Sequence, residues 1–317
     1  MSMPSSPSIR SERPDPSDRP RTSSTAEPAF GARLHAALRA RGPLCVGIDP
    51  HPGLLRQWGL SDDADGLDRF SAGVVDALAG EVAVLKPQSA FFERHGAAGI
   101  AVLERTLASA RAAGALVILD AKRGDLSSTV QGYADAYLRT DSPLAADALT
   151  VNAYLGFGSL RPFLNAAAGS GAGVFVVALT SNPEGADIQR AVTSSGRTVA
   201  GTILAAVADH NAPDHSTDSA AAGLSATGKR PLGSVGAVVG ATLADAGEDL
   251  DCGGPLLVPG LGVQGGTAAD VRRLFPGLLD RVVPSVSRSV LEAGPSSAAL
   301  RAAALRQRDE LVATLAG

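Results

Sequence analysis

The sequence predicts a (β/α)8 barrel, and three observations favour that fold. From residue 30 onward, eight short apolar runs alternate with longer segments of helical periodicity. This alternation fills roughly 290 residues, which is the size of such a barrel. Polar residues follow nearly every apolar run, as the mouth of a barrel requires. A doubly wound open sheet is the main alternative, but it usually has fewer strands per domain.

The apolar runs are continuous, a pattern typical of parallel strands that are covered on both faces. They predict strands at residues 44–48, 82–85, 115–119, 148–151, 174–179, 235–240, 256–258 and 282–286. Helical spacing predicts helices at 67–78, 100–113, 127–138, 199–209, 268–274 and 296–315. We therefore expect a single barrel domain over residues 29–317. Within it, residues 211–231, rich in Ala, Ser, Gly and Asp, predict an exposed insertion before the sixth strand.

Composition limits the location and the partners of the chain. Residues 1–28 are half Ser and Pro, which predicts a disordered tail, and their acidic residues argue against a transit peptide. The net charge of −4 argues against a general affinity for nucleic acid or anionic membranes. No apolar run approaches the roughly 18 residues of a membrane span. Cys45 and Cys252 lie in different segments with no CxxC motif, which fits a reducing cytosol, so we expect a cytoplasmic protein.

Charged residues gather at the carboxyl ends of the first three predicted strands, where barrel enzymes carry out their chemistry. Asp49 follows the first strand, Lys86 the second, and Asp120 and Lys122 the third. In a regular strand Asp120 and Lys122 would share one face, roughly 7 Å apart, with Asp125 beyond them in the loop. A carboxylate between two ammonium groups stays ionised and keeps them protonated. Lys122 is therefore predicted to act as an acid, which indicates carbanion chemistry.

Polar residues also follow the later strands. They are Thr150 and Asn152, then Thr180 and Ser181, then Pro259 with the Gly-rich loop 260–266, and finally Ser287 and Arg288. A Gly-rich loop after the seventh strand and an arginine after the eighth are typical of the phosphate site of barrel enzymes. The predicted substrate is thus a phosphate ester.

Two other motifs resemble nucleotide-binding sites but do not indicate a cofactor. The Gly260-x-Gly262-x-x-Gly265 spacing matches a dinucleotide fingerprint, but Asp280 precedes the next strand, whereas the acid of that fingerprint ends a strand. Residues 223–229 imitate a phosphate-binding loop, but the Ser or Thr that should follow its lysine is replaced by Arg230. The five histidines lack metal-binding spacing. We therefore expect neither a nucleotide cofactor nor a metal.

The motif Asp120-x-Lys122-x-x-Asp125, followed by Thr129, resembles the signature of the orotidine 5'-phosphate decarboxylase family. Further landmarks of its longer bacterial branch occur in the same order across residues 30–315. They are GIDP at 47–50, LKPQSAFFE at 85–93, TVNAYLG at 150–156, LTS at 179–181, VPGLG at 258–262 and PSVSR at 284–288.

The resemblance implies a homodimeric barrel that converts orotidine 5'-phosphate to uridine 5'-phosphate and CO2, the last step of de novo UMP synthesis, without metal or organic cofactor. Asp120 and Lys122 would flank the scissile carboxylate, and Lys122 would protonate the C6 carbanion. Lys86 would hold Asp120, while Asp125 and Thr129 would reach into the partner's site.

The resemblance also implies the substrate contacts. Asp49 and Lys86 would bind ribose hydroxyls, Thr180 and Ser181 the pyrimidine edge, and Gln264 and Arg288 the phosphate. The predicted catalytic residues are Lys86, Asp120, Lys122 and Asp125. The predicted substrate-binding residues are Asp49, Thr129, Asn152, Thr180, Ser181, Pro259, Gln264, Gly265 and Arg288.

Two alternatives remain open. A related barrel decarboxylase acting on 3-keto sugar phosphates shares the acid-x-Lys-x-x-Asp pattern but uses Mg²⁺ to hold an enediolate. A noncatalytic barrel could instead only bind a phosphorylated ligand.

Overall fold

A closed parallel barrel forms the centre of the computed structural model, which describes residues 28–212 and 231–316. Eight strands in this part of the chain pair in sequence order, and the first pairs with the last. They are β1 (Cys45–Ile48), β2 (Val84–Pro87), β3 (Leu116–Arg123), β4 (Ala148–Asn152), β5 (Gly173–Leu179), β6 (Val235–Val239), β7 (Leu256–Pro259) and β8 (Val282–Val286). The predicted (β/α)8 barrel is confirmed.

Helices occupy the connections between the strands. Those of the described residues are α1 (Phe30–Arg41), α2 (Pro52–Gln57), α3 (Ala64–Leu78), α4 (Ala90–Glu93), α5 (Gly96–Ala112), α6 (Ser127–Leu138), α7 (Arg161–Ser170), α8 (Ala186–Gln189), α9 (Val199–Asn211), α10 (Ala268–Leu274), α11 (Arg288–Leu291) and α12 (Ser297–Ala316). Within the described ranges, none is both long and apolar enough to cross a membrane.

Two predicted segments lie almost wholly outside the described residues. The predicted tail covers 1–28, of which only residue 28 is described, and the predicted insertion covers 211–231, of which 213–230 are not described. Asn211 is the last residue of α9, and its side-chain amide donates to the carbonyls of Val235 and Cys252. The amide of Asn211 thus ties the end of α9 to the start of β6.

Buried apolar residues form two cores. The larger one lies between the strands and the surrounding helices and includes Phe70, Phe92 and Phe163. The smaller one combines inward-facing strand residues with Phe30, Leu34 and Leu38 of α1. Apolar packing on both faces of each strand is the reason that the strands are continuous apolar runs.

Helix α1 closes the amino-terminal end of the barrel. The ring of Phe30 packs edge-on against Phe175, with ring centroids 5.9 Å apart. Nη1 of Arg33 donates to Oδ1 of the buried Asp147, just before β4, at 2.7 Å. Because this end is filled, ligands reach the barrel at the carboxyl ends of the strands.

Candidate active site

A cavity of about 310 Å³ opens at the carboxyl ends of the strands. The loops after β1, β2, β7 and β8 contribute to it, together with the end of β3. Seven of the predicted site residues line it: Asp49, Lys86, Asp120, Lys122, Pro259, Gln264 and Arg288. The structure therefore brings together predicted residues that are up to 239 positions apart in sequence (288 − 49).

The carboxylate of Asp120 binds both lysines of the cavity. Nζ of Lys122 donates to Oδ1 at 2.6 Å, and Nζ of Lys86 donates to Oδ2 at 3.1 Å. Lys86 is only 5% exposed and Asp120 9%, whereas the Lys122 side chain is 44% exposed. Both lysines line the cavity, and the ammonium of Lys122 is the more exposed of the two.

Opposite charges keep this network ionised. Burial alone would raise the pKa of Asp120, but the ammonium groups of Lys86 and Lys122 outweigh it and hold the pKa well below its usual range. Burial alone would lower the pKa of Lys86, but the carboxylates of Asp120 and Asp49 outweigh it and raise the pKa well above its usual range. Asp120 and Lys86 are therefore both charged at neutral pH.

A β-bulge near the end of β3 contains both Asp120 and Lys122. The register with β4 shifts between Leu119 and Arg123, and Lys122 has a φ of 47°, in the left-handed region. In a regular strand, residues two apart are roughly 7 Å apart along the chain. With this backbone, the two side chains hydrogen-bond directly.

The Gly-rich loop after β7 forms the other side of the cavity, and hydrogen bonds within the loop hold its backbone. The amide of Gly262 donates to the carbonyl of Gly266, whose own amide donates to Gly260. Gly260 and Gly265 have φ values of 106° and 94°, which residues with a side chain rarely adopt. Arg288, the first residue of α11, lines the cavity beside this loop. The loop and the guanidinium form a site suited to a phosphate.

Comparisons with known proteins agree with this geometry. The sequence profile of the "Orotidine 5'-phosphate decarboxylase / HUMPS family" matches residues 42–303. The orotidine 5'-phosphate decarboxylase of Salinispora arenicola is 57% identical over 290 residues, covering 91% of this chain and 99% of that protein. The one of Streptomyces coelicolor is 58% identical over 278 residues, covering 87% of this chain and 95% of that protein. The chain belongs to this family.

Solved structures related to the orotidine 5'-phosphate decarboxylase family share the fold. A crystal structure from Streptomyces avermitilis has a TM-score of 0.85 at 57% identity and covers 92% of this chain and 98% of that one. The structure of Leishmania donovani OMP decarboxylase has a TM-score of 0.68 at 27% identity and covers 91% of this chain and 100% of that one. The family resemblance stated from the sequence is confirmed.

Six predicted site residues do not line the cavity of the described chain: Asp125, Thr129, Asn152, Thr180, Ser181 and Gly265. Asp125 follows β3, and its Oδ1 accepts a hydrogen bond from the amide of Leu126 at 2.8 Å. Thr180 donates to Oδ1 of Asn182 at 2.6 Å and accepts from Gln189 at 2.7 Å. Their roles in a family decarboxylase stay predictions.

Sequence reasoning missed several residues that line the cavity, among them His51, Gln88, Phe91 and Ser285. The alternation of strand residues could have found three of these, because His51 lies two residues after Asp49, Gln88 two after Lys86, and Ser285 two before Ser287. His51 and Phe91 make an edge-to-face pair with ring centroids 4.2 Å apart, a contact that no sequence spacing indicates.

Among the cavity-lining residues of the described ranges, two have a buried oxygen without a hydrogen-bond partner: Oδ1 of Asp49 and Oε1 of Gln88. Buried polar atoms in proteins usually have a partner, so these two acceptors beside the cavity are candidates for contacts with the hydroxyl groups of a ligand. In the same part of the chain, no three His, Cys, Asp or Glu side chains are arranged to hold a metal ion.

Proposed function

We propose that this chain decarboxylates orotidine 5'-phosphate to uridine 5'-phosphate and CO2. The single observation that carries the proposal is the pairing of the accessible Lys122 ammonium with the Asp120 carboxylate, across the cavity from the Gly-rich loop. An ammonium group held in place by a carboxylate at the edge of a cavity is positioned to protonate a carbanion that forms there. The family relationship supports the same reaction.

The proposed chemistry balances without any co-reactant besides a proton. The bond between C6 and the carboxylate carbon breaks, CO2 leaves, and the electron pair stays on C6. The Lys122 ammonium stabilises this charge and then donates its proton to C6. The resulting amine takes a proton from solvent, which restores the charged network around Asp120.

We assign the substrate contacts from the groups that line the cavity. The orphan oxygen of Asp49 and the ammonium of Lys86 would bind ribose hydroxyls. The Gly-rich loop, Gln264 and Arg288 would bind the phosphate. Binding energy from this remote group can be used at the reacting carbon if the loop closes over it. Thr180 and Ser181, placed after β5, would meet the pyrimidine edge only in that closed state.

We further propose a homodimer with shared sites, in which Asp125 and Thr129 enter the cavity of the partner. Neither residue lines the cavity of its own chain. Large apolar side chains are exposed nearby: Leu126 is 53%, Tyr154 77% and Leu155 48% exposed. The loops that carry them touch, since Gly124 packs against the carbonyl of Asn152. Such a patch fits a protein–protein interface.

We also propose a cytoplasmic location, which the buried free thiols of Cys45 and Cys252 fit.

One absorbance assay tests the reaction. Purified wild type and Lys122→Ala are mixed with orotidine 5'-phosphate, each with and without EDTA, and the loss of substrate absorbance is followed. We expect rapid, EDTA-insensitive turnover by the wild type and a loss of at least several orders of magnitude in Lys122→Ala, because the proton donor is gone. EDTA sensitivity would favour the Mg²⁺-dependent alternative. Equal, slow conversion by both proteins would favour the noncatalytic one.

A further inference from the structure

The hydroxyl of Thr150, on β4, is bound on three sides by the end of β3. Oγ1 donates to Oδ1 of Asp120 at 2.9 Å and accepts from the backbone amides of Ala121 at 3.0 Å and Lys122 at 2.9 Å. A hydroxyl has one donor and two acceptor positions, so this one is fully used. The directions are fixed as well, because amides only donate and an ionised carboxylate only accepts.

The hydrogen bonds of Thr150 are made to the bulged segment of β3 that carries Asp120 and Lys122. The amides of Ala121 and Lys122 lie where the register of β3 with β4 shifts. Thr150 therefore accepts two backbone hydrogen bonds at the point where the regular β-ladder is interrupted. The same hydroxyl fixes the carboxylate oxygen that receives the Lys122 ammonium. One side chain thus holds both the backbone of Lys122 and the partner of its ammonium group.

We propose that Thr150 is a positioning residue, whose hydroxyl sets the geometry of the Lys122–Asp120 pair. The inference rests on the proposed decarboxylation. Thr150 is 1% exposed and is not among the residues that line the cavity of the described chain, so it acts through Asp120 and Lys122 and not on the substrate.

Replacing the hydroxyl by a methyl group tests this role. In Thr150→Val we expect kcat to fall roughly 10- to 100-fold, the range expected from a small displacement of a reacting group. The affinity for uridine 5'-phosphate, measured by calorimetry, should be nearly unchanged, because the phosphate contacts lie on the β7 and β8 loops. Thr150→Ser keeps the hydroxyl and should recover most of kcat.

Thr106 offers a matched control. It is a buried threonine on α5, 5% exposed, whose hydroxyl donates to the carbonyl of Val102 at 2.8 Å. Thr106→Val makes the same chemical change away from the cavity and should leave kcat unaltered.

If Thr150→Val does not fold, Thr150→Ala is the alternative variant. It removes the hydroxyl without placing a methyl group against the two amides, and its kcat is compared with that of Thr150→Ser in the same way.

Several results would overturn the proposal. One is a folded variant without the hydroxyl that has the kcat of the wild type, and another is a Thr150→Ser protein as slow as Thr150→Val. A crystal structure of Thr150→Val provides a readout independent of turnover: the Lys122–Asp120 contact should open or the bulge relax, and an unchanged geometry would refute the inference. Failure of the wild type to process orotidine 5'-phosphate would instead refute the proposed function, which keeps the two claims separate.

Discussion

The carboxylate of Asp120 accepts hydrogen bonds from three neighbouring side chains. Lys122 and Thr150 share Oδ1, and Lys86 binds Oδ2. A buried carboxylate is unfavourable unless it is paired and hydrogen-bonded, and here both conditions are met. Removing any one neighbour changes the charge or geometry that the other two experience, so mutations in this group should not have additive effects.

The low pKa of Asp120 predicts how stability depends on pH. Its folded pKa lies below the unfolded value of about 3.9. The ionised carboxylate therefore stabilises the fold fully above that value, and this contribution is lost as the pH falls through the folded pKa. We expect the difference in unfolding free energy between wild type and Asp120→Asn to shrink by on the order of 1–3 kcal/mol between neutral and strongly acidic pH.

Urea denaturation of both proteins at pH 7, 5, 4 and 3 measures this difference. Since Asn does not titrate, the variant serves as the reference for every other acidic group. A difference that stays constant across the series would show that Asp120 is not ionised through its pairing with the lysines.

At the scale of single elements, α1 stabilises the barrel at the end opposite the cavity. Phe30 is fully buried and packs on Phe175 inside the barrel. Phe30→Ala should cost about 3–5 kcal/mol of unfolding free energy, as expected for a large aromatic residue removed from a core. The kcat and KM of the folded fraction should be unchanged, because no residue of α1 lines the cavity of the described chain.

Chemical denaturation and steady-state kinetics on the same preparation test this separation. Phe30→Leu, which keeps much of the apolar volume, should lose clearly less stability than Phe30→Ala. A raised KM in Phe30→Ala would contradict the independence of the two ends of the barrel.

The sequence predicts some elements closely and others poorly, for physical reasons. The run at 174–179 matches β5 to within one residue, because a continuous apolar strand has one simple pattern. The run at 115–119 is apolar, but β3 continues to Arg123, because Thr150 of a neighbouring strand binds the polar residues that follow it. Tertiary contacts of this kind leave no periodic signal.

The candidate site also has features that strand positions predict and features that depend on tertiary contacts. Strand-end position was sufficient to predict Asp49, Lys86, Asp120 and Lys122, since the ends of parallel strands in a barrel must converge. The pairing of Asp120 with Lys122 agrees with their predicted position on one face, whereas the register shift and the left-handed backbone of Lys122 leave no signal in the strand spacing. Phe91 reaches the cavity from the short helix α4, a placement that no periodicity of the sequence indicates.

At the scale of the whole molecule, the barrel has one filled end and one open end. The filled end is packed by α1, and the open end presents the charged network together with an exposed apolar patch of Leu126, Tyr154 and Leu155. Placing the patch beside the site makes any partner that covers it a potential contributor to the cavity. In the proposed homodimer, Asp125 would enter the partner's site from its position next to Leu126 of this patch.

The proposed shared site predicts that two inactive variants restore activity when mixed. Asp120→Ala lacks a residue of its own cavity, and Asp125→Ala lacks the one it would give to its partner. In a hybrid dimer, the Asp125→Ala subunit keeps its own Asp120 and receives Asp125 from the other subunit, so one site of the two is intact. An equal mixture with random exchange contains half hybrids, which corresponds to about one quarter of wild-type activity in a two-fold symmetric dimer.

The measurement is the decarboxylation rate after mixing, with subunit exchange followed separately by mass spectrometry of differently tagged chains. Mixing two preparations of Asp120→Ala is the control and should give no recovery. If exchange is complete and the mixed variants stay inactive, Asp125 does not serve the neighbouring subunit. Recovery in proportion to the hybrid fraction would instead assign Asp120 and Lys122 to their own barrel and Asp125 to its partner's.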